Sequence, residues 1–228
     1  LDMLVSSQSE LRSAWTTLEA RCIEWVGLLL PSLDLDNDRE RIPRAVSDST
    51  SLRDASDRLG TNPPPHSPSE VEWKAIQDIG QRCLDIANSL TSSEEAIRTI
   101  ASEYLPSLSK LVGPLGAAKL CVLAGGRERL ARMPSGSIQV LGAHAAMAAH
   151  RRGAPPPKHG SVIFSMPQVS RSPRWVRGKI ARFLAGKASI ASRLDHFDGD
   201  PWTESEIAEI HRLSEGIKQK FPSPPKRK

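Results

Sequence analysis

The sequence predicts an all-α protein in which an antiparallel coiled-coil hairpin is followed by a compact helical domain. Two heptad-like apolar seams in the first half of the chain predict the hairpin, and short helical stretches bounded by Pro and Gly predict the second half. The chain has 228 residues, of which 39% are hydrophobic and 25% charged. This composition supports a folded core, and the length allows one or two domains.

The two apolar seams lie in residues 4–29 and 76–104, where apolar positions recur three, four or seven residues apart. Pro31 ends the first predicted helix. Two such helices pair most simply as an antiparallel coiled coil, and an ordinary helical bundle is the alternative. Cys22 and Cys83 occupy seam positions, which predicts that both are small buried side chains. The seam residues are Leu4, Leu11, Trp15, Leu18, Cys22, Trp25 and Leu29, followed by Ile76, Ile79, Cys83, Ile86, Leu90, Ile97, Ile100 and Tyr104.

The connector between the seams, at about residues 34–70, is rich in Pro and Ser. Residues 47–59 are predicted to form one short helix that ends at Gly60, and the proline-rich stretch 62–68 is predicted to be non-helical. The predicted organisation is a coiled-coil domain in residues 1–104, a compact domain in residues 105–221 and a basic disordered tail in residues 222–228.

The compact domain is predicted to contain short helices and one long helix from Pro173 to about residue 197. Its apolar residues share one arc and are expected to face the core. They are Ile180, Phe183, Leu184, Ile190, Ala191 and Leu194. The other predictions are a helix over 114–124, a helical turn over 127–133, a helix from Ser135 or Ser137 to about Arg152, an extended run over 161–164, and a last helix that opens with a capping box at 203–206.

Charge is distributed unevenly along the chain. Residues 1–109 carry a net charge of −8 and residues 110–228 a net charge of +13, for a total of +5. The 66 residues from 129 to 194 contain 12 Lys and Arg and no carboxylate. A folded segment of this kind favours binding to a polyanion, so we expect nucleic acid ahead of a merely basic surface, with an anionic membrane third.

The sequence shows no pattern of an enzyme, a metal site or a cofactor site, because it lacks phosphate-binding glycine loops and His/Cys ligand spacing. Asp195, Asp198 and Asp200 are interpreted as a helix exit. No apolar run approaches the roughly 18 residues of a membrane span, and no signal-peptide pattern is present. Three scattered cysteines fit a reducing cytoplasm.

Several motifs of the second half resemble the Nop domain, in the form carried by the archaeal homologue of the nucleolar Nop proteins of box C/D ribonucleoproteins. The resemblance covers about residues 105–220 and reaches the first helix at Glu24-Trp25 and Gly27. The motifs, in order, are Gly113–Ala117, Leu123–Gly126, Gln139–Ala143, Pro157–Gly160, Arg177–Arg182, Ala185–Lys187 and Ile190–Asp195.

The resemblance implies a noncatalytic scaffold that recognises a kink-turn RNA together with its bound ribosomal-type protein, in the 2′-O-methylation guide pathway. It also implies pairing with a second copy through the coiled coil. The family's N-terminal domain, which docks the fibrillarin-type methyltransferase, is absent from this chain, so the chain is either a fragment or a short paralogue. An archaeal protein of this kind is expected in the cytoplasm and a eukaryotic one in the nucleolus.

The expected RNA-binding residues combine the charge pattern with the resemblance. Lys179, Arg182 and Arg193 line one flank of the long helix, and His159 lies on a stiff proline loop from which it can stack on an unpaired base. Lys187 projects from the apolar arc, where it either snorkels outward or meets an anion or a partner's carboxylate. The full set is Lys158, His159, Arg171, Arg174, Arg177, Lys179, Arg182, Lys187 and Arg193.

The expected protein-partner interface is the turn Gly142, Ala143 and His144. The family's motif here is Gly-Ala-Glu-Lys, so His144 and Ala145 replace a carboxylate and an ammonium group. Three alternatives stay open: a protein–protein adaptor whose basic part meets an acidic protein, a short paralogue that is not coupled to methylation, and a spliceosomal-type Nop factor.

Overall fold

A computed structural model of the chain describes residues 1–224, and the last residues of the predicted basic tail lie outside this range. The described residues form thirteen α-helices and no β-strand, which confirms the all-α prediction. The helices are α1 (Asp2–Leu29), α2 (Ile42–Ser47), α3 (Leu52–Leu59), α4 (Glu70–Tyr104), α5 (Pro106–Val112), α6 (Pro114–Ala124), α7 (Arg127–Arg132), α8 (Ser135–Val140), α9 (His144–His150), α10 (Ser161–Ser165), α11 (Pro167–Ser170), α12 (Arg177–His196) and α13 (Glu204–Lys220).

The chain folds as two compact units, each with its own apolar core. We call Ser6–Glu94 the hairpin unit, and Leu1–Val5 together with the chain from Glu95 onward the head unit. Within the described residues, no single helix is both long and apolar enough to cross a membrane, and the bent pair α5 and α6 passes that test by length and composition alone.

The long helices of the hairpin unit run antiparallel, as predicted. Arg12 near the start of α1 forms an ion pair of 3.1 Å with Glu94 near the end of α4. Further along α1, Cys22 lies in the same core cluster as Cys83, which lies earlier in α4. As the residue numbers along α1 increase, those of the facing residues on α4 decrease, so the two helices are antiparallel.

The two seam cysteines are buried at the centre of the hairpin, with exposures of 1% each. Burial, followed by the proximity of Cys83 and the charge of Glu19, raises the pKa of the Cys22 thiol to about 12. Both thiols are therefore protonated packing groups, as predicted. Glu19 is itself buried, and Arg39 donates to its Oε2 from Nε at 3.0 Å and from Nη2 at 2.6 Å. This pair ties the connector to α1.

The prediction of one helix over residues 47–59 is wrong, because the connector forms α2 and α3 with a break between them. Ser51 causes the break by capping α3, since its Oγ accepts a hydrogen bond of 3.2 Å from the amide of Asp54. Gly60 ends α3 with a φ of +70°, as its position predicted. Residues 61–69 contain no helix, which confirms the effect of the prolines.

The sequence signals that predicted where helices begin and end are confirmed for α6, α7 and α13 in the head unit. The helix α6 begins at Pro114 and ends at Gly125, whose φ is +81°, and α7 follows as the predicted short turn. The helix α13 opens with a complete capping box, in which Thr203 and Glu206 each bond the other's backbone amide.

The core of the head unit surrounds α12, which packs against α5, α7, α8 and α13. Of the predicted arc, Ile180, Leu184 and Ala191 are buried and Phe183 and Leu194 are partly buried. The prediction that Ile190 faces the core is wrong, because its side chain is 45% exposed. The buried arc is turned around the helix axis toward small residues, namely Ala181, Ala185, Ala188 and Ser192.

Three predicted segments of the head unit are wrong. The long helix begins at Arg177 rather than Pro173, which instead closes a turn by accepting from the amide of Val176. Residues 161–164 are helical, as part of α10, and not extended. The single helix from residue 135 to 152 is broken into α8 and α9 at Gly142, whose φ of +83° lies in the left-handed region.

Asp195 at the end of α12 is buried at 6% exposure. Its carboxylate accepts hydrogen bonds from the backbone amides of Ser107 at 2.8 Å and Leu108 at 3.0 Å. These amides lie in the first turn of α5, where intrahelical partners are missing and a negative charge is stabilising. Asp195 therefore joins two helices of the core.

Candidate nucleic-acid interface

Three of the predicted RNA-binding side chains meet in one open cleft of about 550 Å³. Lys158 comes from the proline loop, and Lys179 and Arg182 come from the first turns of α12. The cations are thus supplied by two segments that fold against each other. The other lining residues are Gln139, Pro155, Pro156, Pro157, Trp175 and Gly178.

The proline loop is held against α8 by backbone contacts around Lys158. Gln139 donates from Nε2 to the carbonyl of Lys158 at 2.6 Å, and its own carbonyl accepts from the amide of Gly160 at 2.7 Å. A Cβ at Gly160 would lie 1.9 Å from the carbonyl oxygen of Leu141, so no side chain fits there. On the other side, the stem of Lys158 lies over Gly178 of α12, 3.6 Å from where a Cβ would be.

The cleft carries positive charge without local compensation. No carboxylate lines it, and the sequence has none from residue 129 to 194. In the part of the chain that the structure describes, Lys158, Lys179 and Arg182 form no ion pair. The cleft therefore attracts anions, and its open form admits an extended one.

Two aromatic residues that sequence reasoning missed lie at the edge of the cleft. The Nζ of Lys179 lies 4.2 Å from the ring centroid of Phe221, just after α13. The Nε1 of Trp175 donates to the carbonyl of Phe221 at 3.0 Å. Trp175 precedes the Arg177–Arg182 motif by two residues, which was its one sequence signal, whereas Phe221 had none.

His159 and Arg177 contact one aromatic ring rather than the cleft. The imidazole of His159 is stacked on Phe164, with centroids 4.6 Å apart, and the guanidinium of Arg177 lies 5.5 Å from the same ring. Arg177 also donates to the carbonyls of Ser172 and Ser170 at 2.8 and 3.0 Å. Burial first, and then the charges of Arg177 and Lys158, lower the pKa of His159, so its ring is neutral at pH 7.

Two predicted cations of α12 point away from the cleft. Lys187 lines a second hollow of about 320 Å³ with residues of α13, including Glu206 and Glu209. Arg193 donates from Nε to the carbonyl of Ala131 at 3.2 Å and so fastens α12 to α7. The predicted row of Lys179, Arg182 and Arg193 is therefore not one surface.

Arg171 and Arg174 are exposed in the segment between α11 and α12 and do not line the cleft. Within residues 1–224 neither side chain forms a hydrogen bond or an ion pair that would fix it. They extend the positive charge beside the cleft without being held in it.

The predicted partner interface is a half-buried turn that leads into α9. Gly142 is required there, because a Cβ would lie 2.7 Å from the Oγ of Ser161 and the backbone is left-handed. Ala143 precedes α9, and His144 is the first, exposed residue of that helix. No residue of α9 is buried. The helix α9 therefore leaves most of its surface open to solvent.

The chain is similar to known proteins in sequence and in structure. The Nop family model, described as snoRNA binding domain, fibrillarin, matches residues 35–220. An uncharacterized NOP5 family protein of Methanocaldococcus jannaschii is 45% identical over 129 residues, which are 56% of this chain and 31% of that protein. Human nucleolar protein 56 is 35% identical over 135 residues, covering 58% of this chain and 22% of that protein.

A solved structure titled as a fibrillarin/Nop5p complex is similar over 94% of this chain and 75% of that chain, with a TM-score of 0.52 and 27% identity. The chain spans less than a third of the length of the curated relatives described above. The family match nevertheless covers well over half of the chain, including the cleft and the turn. This chain therefore belongs to the Nop family.

Proposed function

We propose that this protein is a noncatalytic, RNA-binding scaffold of a box C/D-type ribonucleoprotein. The observation that carries the proposal is the convergence of Lys158, Lys179 and Arg182 on one cleft without a carboxylate. Cations from two segments at one cleft can neutralise neighbouring phosphates and release their counterions. A backbone held by such contacts is also oriented, which is what a scaffold requires.

We further propose that the RNA is a kink-turn and that it is recognised together with its bound ribosomal-type protein by residues 105–221. Two surface features support this composite recognition. The basic cleft suits phosphates, and the turn at Gly142–His144 with α9 suits a protein. They are adjacent in the fold, because Gly160 of the cleft loop packs on Leu141, which precedes the turn.

The proposed pathway is guided 2′-O-methylation, and the support is the similarity to the fibrillarin/Nop5p complex. A second copy of the chain is proposed to bind through the hairpin unit. Leu28 and Val71 there are 81% and 82% exposed, so their apolar side chains are accessible to a second copy.

The test is a gel-shift titration of a kink-turn RNA with this protein, with and without the kink-turn-binding ribosomal-type protein. It is run at about 50 and 200 mM salt, because affinity that depends on phosphate contacts falls steeply over this interval. We expect binding that requires the ribosomal-type protein and weakens with salt. An RNA with the same composition and a regular helix is the control.

Other outcomes separate the alternatives. Equal binding with and without the ribosomal-type protein would indicate a general basic RNA binder and would overturn composite recognition. Absence of RNA binding in both cases, together with a stable complex with a protein partner, would support the adaptor and overturn the scaffold proposal.

A further inference from the structure

We propose that Trp175 is the surface on which an unpaired nucleobase stacks when RNA occupies the cleft. This inference rests on the proposed RNA-binding function and adds the kind of nucleotide that the cleft accepts. Trp175 lines the cleft beside Lys179 and Arg182, and its side chain is 37% exposed.

The indole of Trp175 is held in place before any ligand arrives. Its only polar group, the Nε1–H, donates to the carbonyl of Phe221 at 3.0 Å. The hydrogen-bonding capacity of the ring is therefore already used within the protein. What Trp175 still offers to a ligand is apolar aromatic surface, and its fixed orientation lowers the entropy lost on binding.

His159, which the sequence suggested as the stacking residue, is less available to a base than Trp175. The ring of His159 is stacked on Phe164 with an interplanar angle of 13°, so one of its faces is already covered. Among the described residues that line the cleft, Trp175 is the one aromatic side chain. A base that enters the cleft therefore meets Trp175.

The charges around Trp175 identify the ligand as nucleic acid rather than as a neutral aromatic compound. Lys158, Lys179 and Arg182 line the same cleft, so phosphates on both sides of a stacked base find cations. This combination of a positive groove and an aromatic face is the general chemistry of single-strand recognition. A base inside a duplex has both faces covered by its neighbours, so the stacked base must be unpaired.

The experiment compares two probes that differ only in their bases: octauridylate, and an octamer of abasic ribose phosphates. Each is titrated against the wild-type protein, Trp175→Leu and the double variant Lys179→Ala with Arg182→Ala. Phe197→Leu is the matched control, since Phe197 is 62% exposed in the same unit and does not line the cleft. Thermal unfolding of each variant checks that it is folded.

We expect the wild-type protein to bind octauridylate about 5- to 150-fold more tightly than the abasic octamer, the range for stacking of one base on an aromatic ring. Trp175→Leu should remove this preference and leave the affinity for the abasic octamer unchanged. The double variant should weaken both probes by the same factor, and Phe197→Leu should change neither.

If Trp175→Leu keeps the base preference, the stacking inference is overturned. The scaffold proposal still stands in that case if the double variant binds both probes more weakly. Unchanged binding of both probes to the double variant would overturn the proposed function instead. A second measurement needs no variant. An octauridylate with one central 2-aminopurine should lose fluorescence on binding to the wild-type protein, and unchanged fluorescence at saturation would contradict stacking.

Discussion

The hairpin unit and residues 129–194 of the head unit use their cations in opposite ways. In the hairpin unit, five of the eight arginines form ion pairs with carboxylates of the same unit. The pairs are Arg12–Glu94, Arg21–Glu24, Arg39–Glu19, Arg41–Asp38 and Arg58–Asp54. Between residues 129 and 194 of the head unit, Arg132 is the one described cation with an ion pair, and its partner, Glu128, lies outside that stretch.

Cations within residues 129–194 contact carbonyls and aromatic rings instead. Arg177 donates to two carbonyls, and Lys179 lies over Phe221. These contacts orient the side chains without neutralising their charge. Charge that is matched within a unit serves its own structure, whereas charge that is oriented but unmatched is left for an external anion.

The largest expected effect concerns the buried carboxylate of the head unit. Asp195→Ala would leave the amides of Ser107 and Leu108 buried without acceptors, so we expect a loss of about 3 kcal/mol in the free energy of unfolding. Urea denaturation measures it. Asp200→Ala, an exposed control, should change stability by less than about 0.5 kcal/mol. Equal effects of the two substitutions would show that Asp195 does not fix the start of α5.

The next effect tests the unmatched cations directly. Lys179→Ala with Arg182→Ala should weaken RNA binding by roughly 1–3 kcal/mol and reduce the slope of log affinity against log salt by about one to two. Filter binding over a range of salt concentrations measures both. Arg44→Ala with Arg53→Ala removes two exposed arginines of the hairpin unit as a control. A salt slope that is unchanged by the first pair would contradict the assignment of the cleft.

A matched pair of the hairpin unit should respond through stability instead. Arg39→Ala leaves the buried Glu19 without its partner, and because Arg39 is itself half-exposed we expect a loss of about 1–2 kcal/mol. Arg21→Ala breaks an exposed pair and should cost less than about 0.5 kcal/mol. Urea denaturation of both variants measures the two losses in the free energy of unfolding. A larger loss for Arg21→Ala than for Arg39→Ala would show that the Arg39–Glu19 pair is not the more stabilising of the two.

The smallest expected effect is the pH dependence of the head unit. The pKa of His159 in the folded protein is lowered from its ordinary value of 6.5, so the unfolded chain takes up a proton first as the pH falls. Its contribution to stability is therefore present above pH 6.5 and is lost below it. Urea midpoints at pH 7.5 and 5.5 should differ less in His159→Gln than in the wild-type protein. His66→Gln, in the connector, is the control, and an unchanged difference in His159→Gln would refute this account.

Sequence reasoning succeeded where structure depends on neighbouring residues. The heptad spacing, the capping box at Thr203 and the glycine end of α6 are local signals. They are confirmed except at the last two seam positions, Ile100 and Tyr104, which are 41% and 43% exposed. Sequence reasoning failed where contacts between distant segments determine the local structure. The break at Gly142 allows the turn to pack beside Ser161, and the orientation of α12 depends on alanines that a search for large apolar residues overlooks.

The same distinction applies to the candidate site. Lys158, Lys179 and Arg182 were identified by charge and by the family motifs, and the structure brings them together. Lys187 and Arg193 shared the charge pattern but face other elements. Phe221 follows Trp175 by 46 residues, so only the folded chain shows that its carbonyl fixes the indole.

The close contact of Gly160 with Leu141 has a thermodynamic consequence. It joins the cleft loop and the Gly142–His144 turn through one rigid backbone contact, so a ligand that shifts either segment also shifts the other. Any such coupling is reciprocal: if the protein partner raises the affinity for RNA by some factor, RNA raises the affinity for that partner by the same factor. The total free energy of assembly is then independent of which of the two proposed ligands arrives first.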